Sequence, residues 1–172
     1  MKNITRDELN EILEEHKKWL SGDGGKQADL SNTDLSNTDL NHTDLRHTNL
    51  YNANLRYANL RGVDLTDVNL TDVDLKGVDL INANLTGAYL RYCNTEFVTG
   101  QNVISVQVNT SRENNKISYW KDLGIWTTGC FQGKLEELKE RIEETHKDNR
   151  FLDDRYQRAI EYILNESEEE DL

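Results

Sequence analysis

Leucine recurs thirteen times at one fixed spacing, as Leu30, Leu35, Leu40, Leu45, Leu50, Leu55, Leu60, Leu65, Leu70, Leu75, Leu80, Leu85 and Leu90. Two residues before each leucine the side chain is small or β-branched: alanine at 28, 53, 58, 83 and 88, threonine at 33, 38, 43 and 48, valine at 63, 68, 73 and 78. One residue before, it is Asp or Asn, with Tyr89 as the exception. A period of five fits neither the 3.6 of a helix nor the 2 of a continuous strand. The backbone must therefore bend at every repeat, and the repeat, found first, organises everything else.

Units such as Ala53-Asn54-Leu55-Arg56-Tyr57 and Ala28-Asp29-Leu30-Ser31-Asn32 resemble the A-(D/N)-L-x-x unit of the pentapeptide-repeat family. The resemblance runs over 28–92 without a gap. It implies a mainly β fold, a right-handed quadrilateral β-helix in which each pentapeptide forms one side and four make a coil. The leucine and the small residue then point inward, so that all thirteen leucines form the structural core. Thirteen units give about three and a quarter coils and, at the inter-strand spacing of about 4.8 Å, a rod about 15 Å long.

Stacking at twenty-residue intervals sets Leu30, Leu50, Leu70 and Leu90 in one inner column and Leu35, Leu55 and Leu75 in the next, with Thr95 as its polar end. The same arithmetic applied to the Asp/Asn position puts two carboxylates on adjacent coils only at Asp44 and Asp64. Elsewhere an asparagine lies between or beside them, which reads as relief of like-charge repulsion one strand apart. That position is expected to do turn and ladder chemistry.

The flanks follow other periods. Thr5-Arg6-Asp7-Glu8 is a capping-box signature, followed by Leu9, Ile12, Leu13, His16 and Leu20 on one helical face. Residues 1–27 are accordingly read as a capping helix and turn that cover the open edge of the first coil, which would otherwise invite strand addition. The repeat body is assigned to 28–97, its register decaying after Leu90. Residues 98–165 read as a small α+β domain: three strand-like stretches at 103–108, 116–120 and 124–128 form an antiparallel meander, and two helices carry Leu135, Leu138 and Ile142, then Tyr156, Ala159, Ile160 and Ile163. Residues 166–172 read as an acidic, solvated tail. This layout, with Gly129-Cys130-Phe131-Gln132-Gly133 before a helix, resembles pentapeptide-repeat proteins of phages and prophages.

Chemistry finds little purchase. The two cysteines, Cys93 and Cys130, form no CxxC pair, and the four histidines at 16, 42, 47 and 146 lack metal-ligand spacing. Cys93 reads as an inward packing residue, Cys130 as a small buried residue at a strand-to-helix join, and His42 and His47 as surface side chains. No phosphate loop or nucleophile elbow occurs, so catalytic residues, cofactors and metals are all expected to be absent. No apolar leader or membrane-length run appears, and a cytoplasmic protein is expected.

The formal charge of −12 disfavours direct contact with nucleic acid or anionic lipid. A protein partner is expected, and a homodimer is compatible with the sequence. On the repeat body the candidate surface combines a basic, aromatic belt of Arg56, Tyr57 and Lys76, with Arg61 on the adjoining side, and an acidic group of Asp64, Asp67, Asp72 and Asp74. Two functional readings result: a non-enzymatic binding protein, in its finer form a phage-type modulator of a host or defence protein, or a DNA mimic acting on an enzyme such as DNA gyrase.

Overall fold

The computed structural model describes residues 1–108, 116–129 and 131–169. The chain divides into two units, Met1–Gly100 and Gln101–Leu172.

In the first unit a short strand β1 (Lys2–Asn3) leads into helix α1 (Arg6–Ser21). Thr5 caps the helix reciprocally: its Oγ1 accepts the Glu8 N–H at 3.2 Å and its own N–H donates to Glu8 Oε2 at 2.8 Å. The helix stops at Gly22, whose φ of 78° is the left-handed conformation that ends helices. β1 pairs in parallel with β2 (Thr33–Asp34) on the first coil. Leu9 and His16 of α1 are buried, and Arg6 Nη1 donates to the Asp39 carbonyl at 3.1 Å, so the helix lies over that coil.

From Asp29 onward, parallel bridges join each residue before a leucine position to the residue twenty farther on: Asp29 to Asn49, Asp34 to Asn54, Asp39 to Asn59, Asp44 to Asp64, and so upward. Twenty residues therefore make one turn, with four five-residue sides. Each side contributes main-chain bonds to the next coil, as in Leu30 N–H to Asn49 O (2.8 Å), Asn32 N–H to Tyr51 O (2.9 Å) and the return bond from Asn49 N–H to Ala28 O (3.2 Å).

All thirteen leucines lie inside, none more than 2 % exposed. The bridges set them in four inner columns, one per side. Leu30, Leu50, Leu70 and Leu90 line the first side, and Leu35, Leu55 and Leu75 the second. Leu40, Leu60 and Leu80 line the third, and Leu45, Leu65 and Leu85 the fourth. The main chain fixes these last two columns as it does the others: Leu40 N–H donates to Asn59 O at 3.0 Å, Leu45 N–H to Asp64 O at 3.0 Å, Leu65 N–H to Asn84 O at 2.8 Å and Leu80 N–H to Thr99 O at 2.8 Å. Leu85 closes the next turn by accepting the Ala88 N–H at 3.1 Å. The ladder does not stop where the leucines do: Asp74 bridges to Asn94 and Asp79 to Thr99. The repeat body thus continues through Thr99, with Cys93 and Val98 at the small inward position and Thr95 and Gly100 in place of leucine.

The bend at each repeat has a specific cause. Positions 32, 37, 42, 47, 52, 57, 62, 67, 72, 77, 82, 87, 92 and 97 all have φ between 52° and 71°. Each follows a leucine position by two and is the third residue of a turn closed, for example, by Thr38 N–H on Leu35 O at 3.2 Å, the arrangement of a type II turn. The Asp or Asn before the leucine supports the same turn through its side chain, Asp29 Oδ1 accepting the Ser31 N–H at 3.1 Å and Asn54 Oδ1 the Arg56 N–H at 3.1 Å.

The second unit is an antiparallel sheet in the order β3 (Val103–Gln107), β4 (Lys116–Trp120), β5 (Ile125–Thr128) and β6 (Phe131–Gly133), the last not foreseen from the sequence. Helices α2 (Leu135–His146) and α3 (Arg150–Glu169) pack with it around Ile117, Trp126, Leu138, Ile160 and Ile163. Tyr119 stacks on Trp126 with ring centres 4.6 Å apart. α3 takes up residues 166–169, which were expected to be tail; there Ser167 is buried and its carbonyl accepts Lys121 Nζ at 2.7 Å. Residues 170–172 and Cys130 lie outside the described residues.

Candidate interaction surface

The left-handed corner suits Gly and Asn, and costs a bulky side chain on the order of 1–2 kcal/mol. Half of the corners obey that rule outright, with Asn at 32, 37, 52 and 82 and Gly at 62, 77 and 87, and four more carry His (42 and 47) or Asp (67 and 72), which also enter this region readily. Three break it: Tyr57, Tyr92 and Phe97, at φ 58°, 60° and 58°. Tyr57 and Phe97 stand in one column with Gly77 between them, two coils apart and 53 % and 75 % exposed. A β-carbon on Gly77 would collide with Tyr57 Cδ1 and Cε1, so the Tyr57 ring lies across the glycine.

Two cations frame these rings. The Arg56 guanidinium carbon sits 5.9 Å from the Tyr57 ring centre, and Lys76 Nζ sits 5.3 Å from that of Phe97, both cation–π distances. Arg56 Nη1 also reaches Asp74 Oδ2 at 3.4 Å, and Lys76 Nζ reaches Glu96 Oε2 at 2.9 Å. Arg61, on the adjoining side, pairs with Asp79 Oδ2 at 3.1 Å. The structure therefore brings Arg56, Tyr57 and Lys76 together and adds Phe97, which sequence reasoning set at the end of a decaying register. The signal was present: Asn94 and Val98 keep the bridge and inward positions of the repeat.

The acidic candidates are not brought together. Counting sides from Ala28, Asp64 and Asp67 are on the fourth, Asp72 on the corner of the first and Asp74 on the second. Asp64 Oδ1 accepts the Thr66 N–H at 3.0 Å, Asp74 Oδ1 accepts the Lys76 N–H at 3.1 Å and an amide proton of Asn94 at 3.0 Å, and Asp67 lies 3.8 Å from His47 Nδ1. Three asparagines of the ladder donate down one coil to a carboxylate: Asn49 to Asp29 (3.0 Å), Asn54 to Asp34 (2.9 Å) and Asn59 to Asp39 (3.0 Å). At the one carboxylate-on-carboxylate contact, Arg46 intervenes, its Nη2 2.7 Å from Asp44 Oδ2 and its Nε 3.8 Å from Asp64 Oδ2. The Arg46 side-chain bond holds the Asp44 carboxyl below the usual range, and the Ser36 main-chain N–H does the same for Asp34.

The remaining candidates occupy structural positions. His42 lies against Gly62, His47 meets Trp19 edge-on with ring centres 6.2 Å apart, and His146 stacks on Tyr156 at 5.2 Å. Cys93 is half-buried, its Sγ 3.0 Å from the Leu70 carbonyl, and desolvation pushes its thiol well above the usual range. Among the described residues no group of three or more His, Cys, Asp or Glu side chains is placed to hold a metal ion, and no helix is long and apolar enough to cross a membrane.

Eight copies of the "Pentapeptide repeats" family match residues 28–67 and 69–94. Among solved structures, the chain is similar to HetL, a pentapeptide repeat protein involved in heterocyst differentiation regulation from the cyanobacterium Nostoc sp. strain PCC 7120, at 33 % identity over 41 % of this chain and 35 % of that one, with a TM-score of 0.26. It is similar to Rfr23, a pentapeptide repeat protein from the cyanobacterium Cyanothece 51142, at 36 % identity over 41 % and 46 % of the two chains, with a TM-score of 0.25. It is also similar to alr5209, a pentapeptide repeat protein from Nostoc PCC 7120, at 30 % identity over 49 % of this chain and 83 % of that one, with a TM-score of 0.20. The chain spans less than half the length of the first two. No curated protein matches.

Proposed function

Because the chain belongs to the pentapeptide-repeat family, whose repeats imply a right-handed β-helix, we propose that it is a non-enzymatic binding protein that uses the second side of that helix to hold a protein partner. The observation that carries this reading is the pair Tyr57 and Phe97, large rings kept exposed in corners that Asn or Gly would occupy without strain. Strain retained at an exposed position, where the rings gain only the contacts with Gly77, Arg56 and Lys76, is the mark of a residue kept for contact. Aromatic rings framed by arginine and lysine are also the side chains that contribute most at protein interfaces. The Tyr57 hydroxyl makes no hydrogen bond to the described residues, which leaves a donor available to a partner. α1 serves in this reading as the cap that lets a short helix of coils persist, and the acidic second unit as a further presented surface. In its finer form the protein modulates a host or defence protein, a reading supported by the order of capping helix, repeats and tryptophan-bearing domain.

The experiment is affinity capture from native-host lysate with the full chain and with Tyr57→Asn, Phe97→Asn. The double variant should fold at least as stably as the parent, since the corners are relieved, and should lose the proteins that the parent captures. Capture of the same proteins by both would overturn the reading.

A further inference from the structure

Strand β3 is an edge: β4 flanks it on one side, and among the described residues no strand lies on the other. Edge strands are ordinarily protected by a charge, a proline or a bulge, because their outer main chain is a template for another strand. Val103-Ile104-Ser105-Val106-Gln107 has no charge and no proline, in a chain where 30 % of residues are charged. Its ladder with β4 runs through all five residues without a bulge. Beside the last residues of this edge, α3 and β3 enclose a groove of about 320 Å³. Val106, Val108 and Ala159 line it with apolar surface, and Arg155, Arg158 and Tyr162 line it from the helix. A sheet edge running along a helix, with side-chain pockets between them, is the arrangement by which a bound peptide is taken up as an added strand.

The charge of the wall selects the peptide. Residues 93–172 contain seventeen acidic and ten basic side chains, yet the two charged residues of the groove are both arginines. The Arg155 guanidinium is held over the Phe151 ring at 4.4 Å. Arg158 is exposed and makes no ion pair among the described residues, although Asp154 stands one helical turn before it. On an added strand, side chains of one face recur about every 7 Å, so an apolar side chain on Val106 and Val108 leaves the next one on that face within reach of the helix wall.

The geometry points to a docking groove for an extended acidic peptide, which adds along Val103–Gln107 as a fifth strand, sets apolar side chains on Val106 and Val108, and places a carboxylate on Arg158. This site is separate from the rod surface and does not depend on it.

The test pans a displayed library of random ten-residue peptides against the full chain and titrates the enriched peptides, resynthesised with fluorescein, by anisotropy. The enriched peptides should alternate apolar residues with Asp or Glu. Arg158→Glu should weaken them about tenfold or more, and Arg158→Gln by less, as expected for loss of a charge-assisted contact. N-methylation of alternate peptide bonds should abolish binding, and amide exchange of 103–107 should slow when the peptide is bound. No enrichment, enrichment without acidic residues, indifference to Arg158→Glu in a folded variant, or indifference to N-methylation would each overturn the proposal. So would concentration-dependent slowing of exchange at 103–107 in the chain alone, which would give the edge to a second copy. Tyr57→Asn, Phe97→Asn should bind these peptides as the parent does, so failure of the groove and failure of the rod surface are read separately.

Discussion

His16 Nε2 lies 3.1 Å from Thr48 Oγ1, while Nδ1 of the same buried ring receives the Ala28 N–H at 3.2 Å. One imidazole thus ties α1 to the first residue of the first coil and to the first residue of the second. Because Nδ1 accepts, the proton sits on Nε2 and the bound ring is neutral. Desolvation lowers its pKa, against opposing contributions from the Arg46 main chain and Asp44.

A histidine whose folded pKa is depressed contributes stability that is complete above its unfolded value of about 6.5 and is lost as pH falls through the folded value. Exchange of the Ala28 amide, corrected for its intrinsic rate, should therefore accelerate as pH falls below about 6.5 and α1 loosens. His16→Gln should flatten that dependence. Equal pH profiles for parent and variant would remove His16 as the cause.

Gly77→Ala should destabilise the repeat body by about 2 kcal/mol, through left-handed strain together with the clash against Tyr57. In the Tyr57→Asn background the clash is gone, and about half of the cost should remain. Urea unfolding of the four proteins measures the coupling directly. Additive effects would mean that the tyrosine ring does not rest on the glycine.

Arg46→Ala leaves Asp44 and Asp64 facing each other, and Asn59→Asp creates the same contact with Asp39 and Asp79. Each change should cost about 0.5–1 kcal/mol. Most of that loss should vanish in about 1 M salt, where exposed charges are screened. A loss that persists in salt would assign the ladder's worth to hydrogen bonding alone.

Leu60→Ala, between Leu40 and Leu80 in the inner stack, should cost about 3 kcal/mol because the surrounding coils cannot collapse onto the gap. Calorimetry or urea unfolding checks it. A loss below about 1 kcal/mol would show that the interior is not rigidly packed.

The leucine spacing sufficed to place the inner columns, the Asp/Asn ladder and the juxtaposition of Arg56, Tyr57 and Lys76, because every contact in a regular coil is arithmetic on position. The capping box was equally local and equally readable in Thr5 and Glu8. What escaped was the fate of the repeat once leucine gave way to Thr95 and Gly100. There the bridging residues Asn94 and Thr99 continue the register without the residue that advertises it. Phe97 was missed for the same reason. The corner strain was missed because its signal lies two residues after leucine, in a mixture of Asn, Gly, His, Asp and Tyr that looks irregular until φ is known. The length of α3 was hidden by its acidic composition, since the contact that reaches its last turns comes from Lys121, far away in sequence, on the Ser167 carbonyl. The groove beside β3 depends on which helix face meets which strand edge, a tertiary relation without a local signature.

The twenty-residue bridge interval also limits how this chain can change in length. Inserting or deleting one five-residue unit within the coils would turn everything beyond it by a quarter revolution, carrying Phe97 off the corner it shares with Tyr57. Duplicating residues 48–67 would instead raise the upper storeys by one floor and return every later side chain to its original compass bearing. Length is therefore free to vary in whole storeys while the side that carries Tyr57 and Phe97 keeps its heading.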